Sequence, residues 1–288
     1  MSEGKTFDIS LEGKQLTLVT IGDKHLELQG SNVVKFQPHS EENTGFITAV
    51  GGDFVITSGL TDKSIKFWKI KDIATSEGEP KVYHEWKHAK KLTALHWIDF
   101  ALGGKDFSGI IFSDKFGEVR FYNIVNLPQG TEEEMKANGE ENEERENNVN
   151  LWYAHQDIVT HLEVAHDQKY IFTVDKSKIK ITHFPEILSV HSVVFHALKE
   201  VTNFIVINST HFLAFSSRNK QLKIWKINED SSDLVKEFSG DSFHQLIGEA
   251  LVNDDKVSIN KVSEDGTIIM TLSQASITKA IVAKVDLE

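Results

Sequence analysis

An all-β fold built from a repeated unit is predicted by three observations. First, a histidine is followed three times, 28 or 29 residues later, by a strand that closes on a ring. His39 leads to Trp68 in SIKFWKI, His155 to His183 in KIKITHF, and His196 to Trp225 in QLKIWKI; a fourth copy, His88 to Tyr122, is a few residues longer. Second, short strand patterns alternate with turn residues along the chain, and no ordered stretch carries a helical period. Third, the repeated unit is roughly forty residues long, the period of a WD-type β-propeller blade. A WD40-type propeller is therefore expected over residues 1–288 as a single domain. Seven blades is the commonest closed solution, and closure removes the sheet edges that would otherwise aggregate.

The strands follow in order. Residues 1–38 supply an early blade from QLTLVTI, KHLELQG and NVVKFQ. The second unit reads FITAV (46–50), DFVITSG (53–59), SIKFWKI (64–70) and KVYHEWK (81–87), with the polar turn Leu60-Thr61-Asp62-Lys63 between its middle strands. The third is LTALHWI (92–98), GIIFSDK (109–115), GEVRFYNI (117–124) and NVNLWYA (148–154). Between its last two strands, TEEEMKANGEENEEREN (131–147) holds eight acids against Lys136 and Arg145. That composition has no apolar face, so 130–147 reads as a disordered acidic insertion in the third blade. A long loop is tolerated there because closure entropy grows only logarithmically with length. The fourth unit is VTHLEVA, YIFTVDK, KIKITHF and ILSVHSVV; the fifth is VTNFIVIN, HFLAFSS, QLKIWKI and LVKEFS. After residue 240, VSINKVS, TIIMTLS and TKAIVAKV are strands without the histidine and tryptophan markers.

Composition narrows the functional classes. The net charge is −12, half of it in the acidic segment, which argues against the whole surface binding nucleic acid but leaves room for a local basic patch. The absence of cysteine excludes disulfides, thiolate metal sites and a cysteine nucleophile. The longest apolar runs are strand-length, so no membrane association is expected, and the polar start MSEGKTFDIS reads as neither a signal nor a transit peptide.

The repeat markers are read as structural. A ring at the end of the third strand would pack between sheets, its polar edge meeting a hydroxyl, an aspartate and the histidine. Unit two has all four types: Trp68, Ser58 or Thr57, Asp62 and His39; His155, His196 and Trp225 belong to the same scheme. Unit five carries Asn219 in place of the aspartate. Thirteen histidines form no HExxH and no zinc-like spacing, and His191 and His196 in VHSVVFH need not face one another. With no GxSxG, P-loop or GxGxxG, no catalytic residue, metal or cofactor is expected. The suggestive patch lies in unit four, where Lys169, Lys176, Lys178 and Lys180 crowd DQKYIFTVDKSKIKITHF. Lys178 and Lys180 alternate along one strand face, whereas Lys176 sits in a short loop suited to a partner.

Two stretches resemble the non-catalytic WD-repeat subunit of tRNA (guanine-N7-)-methyltransferase. One is Ser113-Asp114-Lys115-Phe116-Gly117-Glu118-Val119, similar to that family's Asp-Lys-x-Gly-[Asp/Glu]-Val element; the other runs from His155 to Pro185. Departures are Ala154 in place of a glycine, and Val174-Asp175-Lys176-Ser177, one residue shorter than the family's loop. The resemblance implies a scaffold that forms a heterodimer with a separate catalytic subunit. That partner would carry the S-adenosylmethionine site and methylate the variable-loop guanosine of tRNA to N7-methylguanosine. It implies a nuclear location and tRNA contact mainly through the partner, and it transfers the family's basic loop residue to Lys176; with Asp175 and the lysine patch of Lys178 and Lys180, this makes the expected partner-binding set. The competing expectation is a general WD-repeat adaptor, such as a substrate receptor outside RNA metabolism.

Overall fold

The structure is a computed structural model that describes residues 5–30, 32–102, 104–124, 130–131, 148–165, 167, 169–176, 178–184, 188–194, 200–228, 231–248, 256–274 and 277–287. The chain divides into two compact units, Met1–Gln156 and Asp157–Glu288, each with three sheets among the described residues.

In the first unit, β1 (Thr6–Leu11), β2 (Lys14–Ile21), β3 (His25–Gln29) and β4 (Val33–Phe36) form an antiparallel meander. Leu11 pairs with Lys14 across a two-residue turn in which Glu12 and Gly13 have φ of 50° and 78°. Two positive φ values mark the mirror-image turn whose twist matches the flanking strands. The second blade is β5 (Phe46–Gly51), β6 (Phe54–Gly59), β7 (Ser64–Lys69) and β8 (His84–Lys87). The third runs β9 (Leu92–Leu102), β10 (Lys105–Asp114), β11 (Glu118–Asn123), then β13 (Asn148–Tyr153). Before β13, Gly130 and Thr131 form β12 and pair in parallel with His84 and Glu85 of β8. The start of the expected disordered insertion is thus a strand added to the preceding blade; the rest of that expectation, residues 132–147, lies outside the described residues.

Within this unit, neighbouring blades bury their faces against each other. Leu18, Leu26, Leu28 and Phe36 pack on Val55 and Trp68, and Ile56, Phe67 and Trp86 pack on Ile110, Phe112 and Tyr122. The Trp86 and Tyr122 rings stack at 4.3 Å. Each such aromatic contributes about 2–3 kcal/mol through burial.

The second unit repeats the design with β14 (His161–Val164), β15 (Tyr170–Val174), β16 (Lys178–His183) and β17 (Leu188–Val194), followed by β18 (Asn203–Val206), β19 (His211–Ser216), β20 (Gln221–Ile227) and β21 (Ser232–Phe238). The last sheet has three strands, β22 (Lys256–Val262), β23 (Thr267–Gln274) and β24 (Ile277–Lys284). The described residues therefore form six sheets against the seven expected, because the segment after residue 240 builds a helix and a single sheet.

Among the described residues, two short helices depart from the all-strand expectation. α1 (Ile70–Thr75) buries Ile70 and Ile73, and α2 (Asp241–Ile247) buries Phe243 and Ile247. One apolar pair at i,i+3 or i,i+4 is too little to register as a helical period. α2 ends on Gly248, whose φ of 68° lets its N–H reach the His244 carbonyl at 2.9 Å.

The turn between β22 and β23 contains Gly266 with φ of 81°, where an added Cβ would lie 2.0 Å from the Val285 carbonyl oxygen. Gly266→Ala is expected to cost about 1–3 kcal/mol, read as a lower urea midpoint with unchanged slope.

Candidate functional site

The turn between the second and third strands of a blade is built the same way in three places. Asp62 Oδ1 accepts the Ser64 N–H at 2.9 Å, Asp114 Oδ1 accepts those of Phe116 and Glu118 at 2.8 and 3.2 Å, and Asp175 Oδ1 accepts that of Lys178 at 2.7 Å. Asp114 and Asp175 are buried and Asp62 half-buried. Each is followed by an exposed lysine: Lys63, Lys115 and Lys176. The recurring Asp-Lys dipeptide was a sequence signal for this device, and the histidine-to-ring spacing passes over it.

In the second blade the carboxylate extends into a buried relay. His39 Nδ1 lies 3.1 Å from Asp62 Oδ2, His39 Nε2 lies 3.0 Å from Thr57 Oγ1, and Trp68 Nε1 donates to Thr57 Oγ1 at 3.1 Å. The Asp62 carboxylate only accepts, which places the ring proton of neutral His39 on Nδ1; Nε2 then accepts from the Thr57 hydroxyl, whose oxygen accepts the Trp68 indole N–H. Thr57 is the hydroxyl of this network; Ser58, the alternative named with it, faces the other side of the strand and its buried Oγ has no hydrogen-bond partner. Burial depresses the His39 pKa, and the Asp62 carboxylate only partly offsets this. Burial also works to raise Asp62, but the Ser64 N–H and His39 hold it below its ordinary value.

The third blade has Phe112 at the register position of Thr57: Phe112 pairs with Arg120 as Thr57 pairs with Lys66. The His88 ring meets Phe112 edge-on at 5.3 Å, and its buried Nε2 has no hydrogen-bond partner. Burial, followed by the Arg120 cation, lowers the His88 pKa.

The fourth blade corrects the repeat as read from sequence. Trp68 pairs with Val55, Tyr122 with Ile110 and Trp225 with Phe212; in β16 the residue at that place is Thr182, which pairs with Ile171. The register shift beside Tyr122 and Trp225 falls beside Thr182 as well. His183 is therefore one place beyond the ring position, half-buried and edge-on to Tyr170 at 5.5 Å. His155 is buried at the end of the first unit, Trp225 is buried and stacked 5.3 Å from Phe212, and His196 lies outside the described residues.

Of the expected partner-binding residues, Asp175 is buried in its turn and is no exposed contact. Lys180 pairs with Thr173, the place in its blade that Lys66, Arg120 and Lys223 hold in theirs, so its charge belongs to the repeat. Lys178 is exposed at the start of β16. Lys176 is exposed as well, its side chain 66% accessible, with Nζ 3.4 Å from the exposed Asp157 carboxylate. An ion pair in that setting holds at most about 1 kcal/mol, so the ammonium can change partners at little cost. Among the described residues no three His, Asp or Glu side chains gather as a metal site, and no helix is long and apolar enough to cross a membrane.

These sheets, with their shared turns and bulges, define a WD-type β-propeller. A chain in a solved structure, "Crystal Structure of Mitotic Checkpoint Complex", superposes with a TM-score of 0.62 over 98% of this chain and 75% of that one at 11% identity, a likeness of fold. No family model matches the sequence. The chain is similar to the tRNA (guanine-N(7)-)-methyltransferase non-catalytic subunit wdr4 of Dictyostelium discoideum, 24% identical over 186 residues. That alignment covers 64% of this chain and 38% of the relative.

Two measurements check the buried relay. Thr57→Val leaves Trp68 Nε1 and His39 Nε2 without partners and should cost about 1–3 kcal/mol in chemical denaturation, whereas Ser58→Ala should cost under about 0.5 kcal/mol. His39 and His88 titrate below their unfolded value of about 6.5. The unfolded chain therefore takes up protons that the fold resists as pH drops below that value. Asp62 and Glu118, both depressed, withdraw further stability as pH falls through their folded values. The melting temperature should hold above pH 6.5 and decline from there toward pH 5; a rise on acidification would contradict the assignment.

Proposed function

We propose that the protein is a non-catalytic scaffold that binds and stabilises a separate catalytic tRNA (guanine-N7-)-methyltransferase subunit, supporting N7-methylguanosine formation in the tRNA variable loop. The similarity to the Dictyostelium non-catalytic subunit carries this reading. The stretch from His155 to Pro185, where the resemblance is densest, presents Lys176 on a turn held rigid by a buried aspartate. On this reading Lys176 exchanges Asp157 for an acidic side chain of the enzyme subunit, a charge-assisted contact of about 1.5–3 kcal/mol once desolvated. The chain itself performs no methyl transfer; S-adenosylmethionine binds the partner, and the pair works as a heterodimer in the nucleus.

The test is affinity purification of the intact chain with identification of what co-purifies. Recovery of a methyltransferase in stoichiometric amount is expected, and Lys176→Glu should reduce it about tenfold or more while the β-rich circular dichroism spectrum stays unchanged. Equal recovery with Lys176→Glu would remove the turn from the interface. Ubiquitin-ligase components in place of a methyltransferase would favour the adaptor reading.

A further inference from the structure

Among the described residues one aromatic side chain is exposed: Phe116, at 53%, in the turn between β10 and β11. Lys115 Nζ and Lys90 Nζ lie 4.9 and 5.1 Å from its ring centroid. The loops around it are joined by backbone hydrogen bonds. The His88 N–H donates to the Lys63 carbonyl at 3.0 Å, and the Lys115 N–H donates to the Lys91 carbonyl at 3.2 Å. Lys63 Nζ also reaches the Ala89 carbonyl at 3.4 Å.

Charge on this face is lopsided. Lys90 is 2.6 Å from Glu118 Oε2 and 3.2 Å from Asp114 Oδ2, and Arg120 binds the other Glu118 oxygen. Both carboxylates are buried, and these cations offset their charge as ion pairs. Lys63, Lys87, Lys91 and Lys115 are exposed, and none has an ion-pair partner among the described residues. Four uncompensated cations on the joined loops around Phe116 stand out in a chain of net charge −12.

We propose that this face binds an unpaired segment of RNA, with Phe116 stacking on a base and the four free lysines meeting backbone phosphates. A flat aromatic surface set in positive charge is the combination by which single strands are held with little sequence preference. An acidic protein partner fits less well. Protein interfaces favour arginine, whose fork matches carboxylates, and are depleted in lysine, yet all the free cations here are lysines. The proposal goes beyond the scaffold reading and stands independently of it, since it concerns this chain without an enzyme subunit.

The experiment is fluorescence anisotropy of the full chain with a fluorescein-labelled single-stranded RNA of about twelve nucleotides at low salt. A duplex of the same sequence and a poly-glutamate peptide serve as competitors. Binding should favour the single strand and weaken steeply with salt. Phe116→Ala should reduce affinity about 5- to 150-fold, and Lys91→Glu with Lys115→Glu should reduce it further and flatten the salt dependence. All three side chains are exposed, so the circular dichroism spectrum should not change. No RNA binding by the folded chain, equal affinity in the variants, or displacement by poly-glutamate but not by unlabelled single strand would each overturn the proposal. The last result would assign the face to an acidic protein. Methyltransferase capture is not read in this assay, so the two readings fail separately.

Discussion

A carboxylate folded back onto its own turn is the interaction on which the second, third and fourth blades depend. Taking an ionised aspartate out of water is costly unless hydrogen bonds replace the lost hydration. Asp62, Asp114 and Asp175 meet that condition with backbone N–H groups two to four residues ahead. The bonds fix where the third strand starts and hence the register of its buried residues. They also leave the next side chain pointing outward. Lys63, Lys115 and Lys176 are exposed for the same reason that their neighbouring aspartates are not.

What lies beneath the turn differs from blade to blade. The second blade links Asp62 through His39 and Thr57 to Trp68, a polar chain satisfied at each junction. The third replaces the hydroxyl with Phe112 and relies on aromatic packing, including the Trp86–Tyr122 stack. The fourth has Thr182 at the ring position, and its core is filled instead by Phe172, Phe204 and Phe212. One buried polar chain supplies specificity of register where it is complete. Elsewhere large apolar side chains carry the stability without it.

Legibility in the sequence followed the same division. The strands of the second to fifth blades were readable because alternation and turn residues are local signals. β1 was missed, although TFDISL alternates as the strands after it do. The helices were too short to show a period. Thr57 and Ser58 could not be told apart as relay members from sequence, since both are hydroxyls and only the pleat decides which faces Trp68. His183 was taken for the closing ring because spacing was counted along the chain. Only the pairing across the sheet, Thr182 opposite Ile171 as Trp225 is opposite Phe212, shows that the ring position falls one residue earlier.

The amino-acid order alone was sufficient for the β-propeller class, the structural role of His39, Asp62 and Trp68, and the prominence of Lys176, since periodicity and turn chemistry act over a few residues. Tertiary structure decided the rest: that Asp175 is buried, that Lys180 repeats a position common to the blades, and that Lys90 and Arg120 neutralise Glu118 while Lys91 and Lys115 stay free beside Phe116. Those outcomes depend on which side chains from distant segments meet across a sheet or a turn. Burial and charge compensation are properties of that meeting, so they have no counterpart in any single stretch of the chain.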